Sequence, residues 1–151
     1  MKDSDNKYLI FLVGGKKFCM CFSDVLQIIP VQEMREIPDL PDYAEGTLIN
    51  GGRTVTVIDL RKRFGYTEWE QVGREVIILC DGEKSLGMHC DSITGFVEMQ
   101  ADNIQPAPDI NEQVNARFIS GTFIYEGEPC YIIKPELIIR PDDEEAFLNN
   151  G

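Results

Sequence analysis

The apolar positions of this chain fall in short β-type runs, each closed by a glycine, a proline or an aspartate turn. Tyr8–Val13 and Phe18–Phe22 flank Gly14-Gly15-Lys16-Lys17, which reads as a tight turn. Val25–Ile29 extends the pattern as a strand or a short turn of helix until Pro30 stops it. Residues 30–45 carry Ile37-Pro38-Asp39-Leu40-Pro41-Asp42-Tyr43, too stiff and too apolar for a flexible linker, and so expected to pack against a barrel. Gly46–Asp59 predicts a hairpin around Gly51-Gly52, and Leu60–Gly65 predicts one or two helical turns ended by glycine. Residues 66–73 read as a link. Arg74–Cys80, Ser85–Cys90 and Ile93–Met99 follow as strands, with Asp81–Lys84 as a turn, Ala101–Pro108 as loop and Ile110–Arg117 as a short helix or irregular stretch. After a second hairpin, Pro135 fits the first position of a short helix.

The second hairpin is a copy of the first. Gly121-Thr122-Phe123-Ile124 aligns without a gap on Gly46-Thr47-Leu48-Ile49, an offset of 75 residues, and Gly52 falls on Gly127. Upstream, Ile10–Phe18 resembles Ile77–Ser85, so the order of two hairpins is written out twice. The repeat predicts two similar small β units, with approximate halves at 7–73 and 74–140 inside a single domain of 151 residues, and loose tails at 1–6 and 141–151. The resulting fold class is all-β: two small barrels, with helices only as punctuation.

Composition narrows the partners. A formal net charge of −12 works against nucleic acid or an anionic membrane, because either needs a basic footprint. No run approaches the roughly 20 apolar residues of a membrane span, and the N-terminus lacks a signal-peptide layout, so a cytoplasmic location is expected. Positive charge concentrates at Arg61-Lys62-Arg63, near Arg53, as either a solvated turn or a docking patch. The five cysteines are odd in number and form no C-x-x-C pair, so they read as small buried apolar residues rather than disulfides or zinc ligands.

Catalytic signatures are missing: no G-x-S-x-G, no P-loop and no G-x-G-x-x-G. The single histidine, His89, adjoins Cys90, but strand neighbours point to opposite faces and cannot form a dyad. Asp24, Asp59 and Asp91 end β runs, where aspartate caps or turns the chain. No catalytic residue, cofactor or metal is therefore assigned. The different-class alternative is a small-ligand or enzymatic barrel built on Asp59, His89 and Cys90.

Ile37-Pro38-x-x-Pro41-x-x-x-x-Gly46-x-x-Ile49-Asn50, followed by Val57-Ile58-Asp59-Leu60-Arg61-x-Arg63-Phe64-Gly65, resembles the central signature of the CheW family of bacterial chemotaxis coupling proteins. Tyr8-Leu9-x-Phe11, Val25-Leu26-Gln27-Ile28, Val76-Ile77-Ile78-Leu79, Leu86-Gly87 and Asn103–Pro108 extend the resemblance from about Tyr8 to Ile139. It implies two five-stranded, SH3-like barrels packed side by side, with short peripheral helices, and no enzymatic activity. It also implies an adaptor that joins the cytoplasmic tip of a methyl-accepting chemoreceptor to the regulatory domain of a CheA-type histidine kinase, at membrane-associated arrays but without membrane insertion. A divergent scaffold of a pathway other than chemotaxis is the runner-up. By position, the resemblance places the receptor groove at Val25, Gly46, Ile77, Gly87 and Phe96, with Arg53 as a further partner contact. Two places depart from the family pattern: the turn Asn50-Gly51-Gly52 is one residue shorter than usual, with Thr56 in place of a proline, and Lys134-Pro135 replaces an aspartate and an apolar residue.

Overall fold

The computed structural model describes residues 6–66, 76–80, 85–106, 118–144 and 147. Among the described residues ten strands appear in order: β1 (Lys7–Val13), β2 (Lys16–Cys21), β3 (Val25–Pro30), β4 (Ala44–Asn50), β5 (Arg53–Asp59), β6 (Val76–Cys80), β7 (Leu86–Cys90), β8 (Ser92–Glu98), β9 (Ile119–Tyr125) and β10 (Glu128–Ile133). One short helix, α1 (Leu60–Phe64), follows β5, and 3-10 turns occupy Phe22–Asp24, Ala101–Asn103, Pro135–Leu137 and Pro141–Asp143. The helix expected after Pro135 is thus a single 3-10 turn. The expectations for residues 67–75, 81–84 and 107–117 lie outside the described residues.

The strands form two five-stranded sheets, ordered β8-β1-β2-β10-β9 in the first barrel and β3-β6-β7-β5-β4 in the second. Advancing every strand of the first order by five positions, modulo ten, reproduces the second. The repeat is therefore exact at the level of topology, but the halves are interlocked. The first barrel takes β1 and β2 from residues 7–73 and three strands from beyond; the second takes β3 to β5 from the first half and β6 and β7 from the second. A boundary at 73/74 separates the two copies of the repeat without separating the barrels.

Strand alternation divides the apolar residues among three cores. Tyr8, Ile10, Cys19, Phe123, Cys130 and Ile132 fill the first barrel. Ile29, Leu48, Val55, Val57, Ile77 and Leu79 fill the second. The opposite faces of the central strands supply the largest core, between the barrels, with Phe11, Phe18 and Met20 meeting Ile78, Met88 and Cys90. Strands β1, β2, β6 and β7 are thus buried on both faces, which is why they read as nearly continuous apolar runs.

The repeated Gly-Thr has a physical cause. Before each second hairpin the chain adds one short extra rung: Arg35 bridges Thr47, and Gln105 bridges Thr122. A Cβ on Gly46 would come within 2.8 Å of the Arg35 carbonyl oxygen, and one on Gly121 within 3.0 Å of the Gln105 carbonyl oxygen. Glycine at both positions lets a backbone segment lie directly against the strand.

Candidate functional site

The chain crosses between barrels at two equivalent points, from β2 to β3 and from β7 to β8. At the second crossing Asp91 holds both barrels. Its backbone N–H donates to Leu12 O at 2.9 Å, Gly14 N–H donates to its Oδ2 at 3.0 Å, and Arg61 Nε donates to its Oδ1 at 2.8 Å. Both side chains of the Arg61–Asp91 pair are buried, so each charge depends on the other.

This corrects the reading of Arg61-Lys62-Arg63 as a solvated turn or a docking patch. Arg61 and Arg63 are buried. Asp59 accepts from the N–H groups of Arg61 and Lys62 at 3.0 and 3.4 Å and so caps the start of α1. Gly65 closes the helix in the left-handed conformation at φ 85°. That short helix aims Arg63 inward, where its Nε donates to Ile138 O and its guanidinium lies over the rings of Tyr43 and Phe118 at 5.4 and 5.0 Å. The Arg140 guanidinium also lies over the Tyr43 ring at 5.1 Å, and the Tyr43 hydroxyl donates to Asp143 at 2.6 Å. The proline-punctuated connection is thereby tied to the end of the chain.

The residues of the different-class alternative have separate structural jobs. His89 Nδ1 lies 2.7 Å from Glu45 Oε1, Asp59 caps α1, and Cys90 faces the inter-barrel core. Burial pushes the thiols of Cys80 and Cys90 up to about 12, far from a reactive thiolate. Among the described residues no group of three His, Cys, Asp or Glu side chains is arranged to hold a metal ion.

The positions carried over from the family fall into two sets. Ile77 is fully buried inside the second barrel. Gly87 lies against it, since a Cβ there would meet Ile77 Cγ2 at 2.9 Å. Gly46 is buried beneath the Arg35 rung. Val25 is half-buried at the head of β3, just after the Phe22–Asp24 turn, and packs against the inter-barrel core. Phe96 on β8 is 68% exposed, with its ring 5.5 Å from that of Phe22. Phe96 and Phe22 thus pair beside the β2–β3 crossing, Val25 follows three residues after Phe22 with its side chain against the inter-barrel core, and Gly46, Ile77 and Gly87 are buried in the second barrel. Arg53 is exposed but drawn back onto the barrel end, where Nη2 donates to Ser85 Oγ at 2.9 Å.

Sequence reasoning missed Phe22 as the partner of Phe96, Glu45 as the partner of His89, and the outward aim of Ile49 and Ile124. Those two isoleucines are 71% and 66% exposed. The signal for them was the offset of 75 together with strand alternation, because each follows a residue, Leu48 or Phe123, that points into its barrel.

Known proteins bear directly on this architecture. A model of the CheW-like domain matches residues 7–142. The probable chemotaxis protein CheW of Rhizobium etli is 24% identical over 147 residues, covering 97% of this chain and 95% of that protein. The chemotaxis protein CheW of Treponema pallidum is 27% identical over 127 residues, covering 80% of this chain and 74% of that protein. The crystal structure of the scaffolding protein TtCheW from Thermoanaerobacter tengcongensis superposes with a TM-score of 0.83 at 21% identity, covering 92% of this chain and 95% of that one. With two interlocked five-stranded units and a family match that spans nearly all of its length, the chain belongs to the CheW-like domain family of non-enzymatic scaffolds.

Proposed function

We propose that the chain is a cytoplasmic adaptor that couples the tip of a methyl-accepting chemoreceptor to the regulatory domain of a CheA-type histidine kinase at membrane-associated arrays. The match of the CheW-like domain over residues 7–142 carries this reading. The exposed ring of Phe96, paired with Phe22, supports it, because an exposed aromatic suits the apolar face of a helix. Among the described residues no helix is long and apolar enough to cross a membrane. Phe96 and Val25 make the direct receptor contact in this reading, while Gly46, Ile77 and Gly87 set the backbone and barrel beneath it. Arg53, at the separate hairpin rim, is assigned to the kinase side.

Pull-downs with a receptor tip and with a kinase regulatory domain test the proposal. Phe96→Asp should lower capture of the receptor tip by about tenfold or more and leave capture of the kinase domain and the circular dichroism spectrum unchanged. Val25→Arg should do the same; if it unfolds the chain instead, Val25 is core and Phe96 alone carries the contact. A wild-type chain that captures neither partner overturns the proposal.

A further inference from the structure

We propose that Asn50 is a site of spontaneous covalent modification, losing its side-chain amide to attack by the backbone nitrogen of Gly51. Asn50 and Arg53 are the last register pair of the β4–β5 ladder, leaving Gly51 and Gly52 as a two-residue turn with φ of 59° and 80°. Such a turn leaves the Gly51 N–H beyond the last rung, free of the ladder. The turn stands open: a Cβ built on Gly51 or Gly52 would meet no atom within 4 Å beyond its chain neighbours. The missing side chain removes the main steric barrier to ring closure, and glycine supplies the backbone freedom to reach it.

The amide itself is loosely held. Its Nδ2 donates to Gln27 Oε1 at 3.2 Å in an exposed bond. Asn50 also lines a cavity of about 60 Å³ with Arg53, Ser85, Val55 and Leu86, so water reaches the reacting carbonyl. The Arg53 guanidinium on the same cavity favours the negative charge that develops on the attacked oxygen.

The step balances without a redox partner. The Gly51 nitrogen gives up its proton and forms a bond to Asn50 Cγ; the Cγ–Nδ2 bond breaks and ammonia leaves, closing a five-membered succinimide. Water then opens the ring at either carbonyl, giving aspartate or isoaspartate at position 50. The product loses the donor to Gln27 and places a carboxylate opposite Arg53, offsetting the single positive charge of that residue at this rim of the second barrel. The equivalent turn of the first barrel, Tyr125-Glu126-Gly127-Glu128, carries no amide and cannot follow the same course.

The full-length chain is aged in mildly alkaline buffer, folded or unfolded in guanidinium, and then digested with trypsin. Cleavage after Arg35 and Arg53 isolates residues 36–53, which contain one asparagine, apart from the peptide that carries Asn150-Gly151. The expected result is amide-to-acid mass conversion and isoaspartyl methyl labelling in residues 36–53, at a folded-state rate within about tenfold of the unfolded rate. Asn50→Gln should remove the mass conversion. The proposal is overturned if folding slows conversion more than this, if conversion is confined to the Asn150 peptide, or if Asn50→Gln leaves it in place.

Discussion

The two barrels share a backbone plan and differ at their rims. Each places a Gly-Thr under a short bridging rung, a buried apolar residue after it, and an exposed isoleucine before the turn. Beyond that isoleucine the chemistry diverges. The second barrel ends in Asn50 bonded to Gln27 and Arg53 bonded to Ser85. The first ends in Lys17, which lies 3.6 Å from both Glu126 and Glu128 and 5.4 Å over the ring of Tyr125. Packing dictates what is common to the two, while solvent at the rims leaves charge free to vary. In the proposed adaptor role, the rims are where the two barrels offer a partner different chemistry.

The largest expected effect lies at the junction that serves both barrels. Asp91→Ala strands the buried Arg61 charge and the Gly14 N–H, and should cost about 3–5 kcal/mol in urea unfolding. A loss near that of a rim mutation would mean the crossing is not what binds the barrels together. Next come the paired glycines. Gly46→Ala sets a Cβ against the Arg35 carbonyl and should cost about 1–3 kcal/mol. Gly121→Ala, whose Cβ would meet the Gln105 oxygen and Ile104 at 3.0 Å each, should cost less but in the same direction. A cost at only one of the two would break the equivalence of the frames.

Tyr43→Phe removes the hydroxyl that joins the connection to Asp143, with an expected loss of about 0.5–1.5 kcal/mol at neutral pH. Burial, followed by the bond to Asp143, raises the Tyr43 hydroxyl from 10.0 to about 12. The folded chain thus keeps this group neutral where the unfolded chain ionises it, and its contribution is lost as pH climbs from 10 toward 12. Measured unfolding midpoints should fall less steeply over that range in the phenylalanine variant. The smallest effects belong to the rims: Lys17→Ala and Arg53→Ala should each change stability by less than about 1 kcal/mol. Arg53→Ala should weaken capture of the kinase domain while Lys17→Ala does not, and equal effects on capture would erase the contrast between the rims.

Hairpins, turns and the repeat were legible in the sequence because glycine spacing and strand alternation are local signals. Asp59 as a helix cap and the divergence of His89 from Cys90 followed from the same local geometry. The interlocking of the halves was not legible, since pairing β2 with β10 depends on contacts across the whole chain. Arg61 and Arg63 misled for a related reason. A run of three cations reads as solvated until Asp91, Tyr43, Phe118 and Ile138 arrive from distant positions to enclose two of them. At the candidate site, Phe96 and Ile77 are both apolar strand residues, and only the closing of each barrel decides that one faces solvent and the other does not.

Interlocking also sets an order of assembly during synthesis. The β1–β2 hairpin leaves the ribosome first, yet its neighbour β10 begins only at Glu128. The second barrel has all five of its strands once Cys90 has emerged. The earliest-made hairpin must therefore wait, with Phe11, Phe18 and Met20 shielded by the younger barrel, until the last strand is delivered. The barrel that starts first is the last to be finished, and a nascent chain halted before β9 would carry one completed barrel and one open sheet.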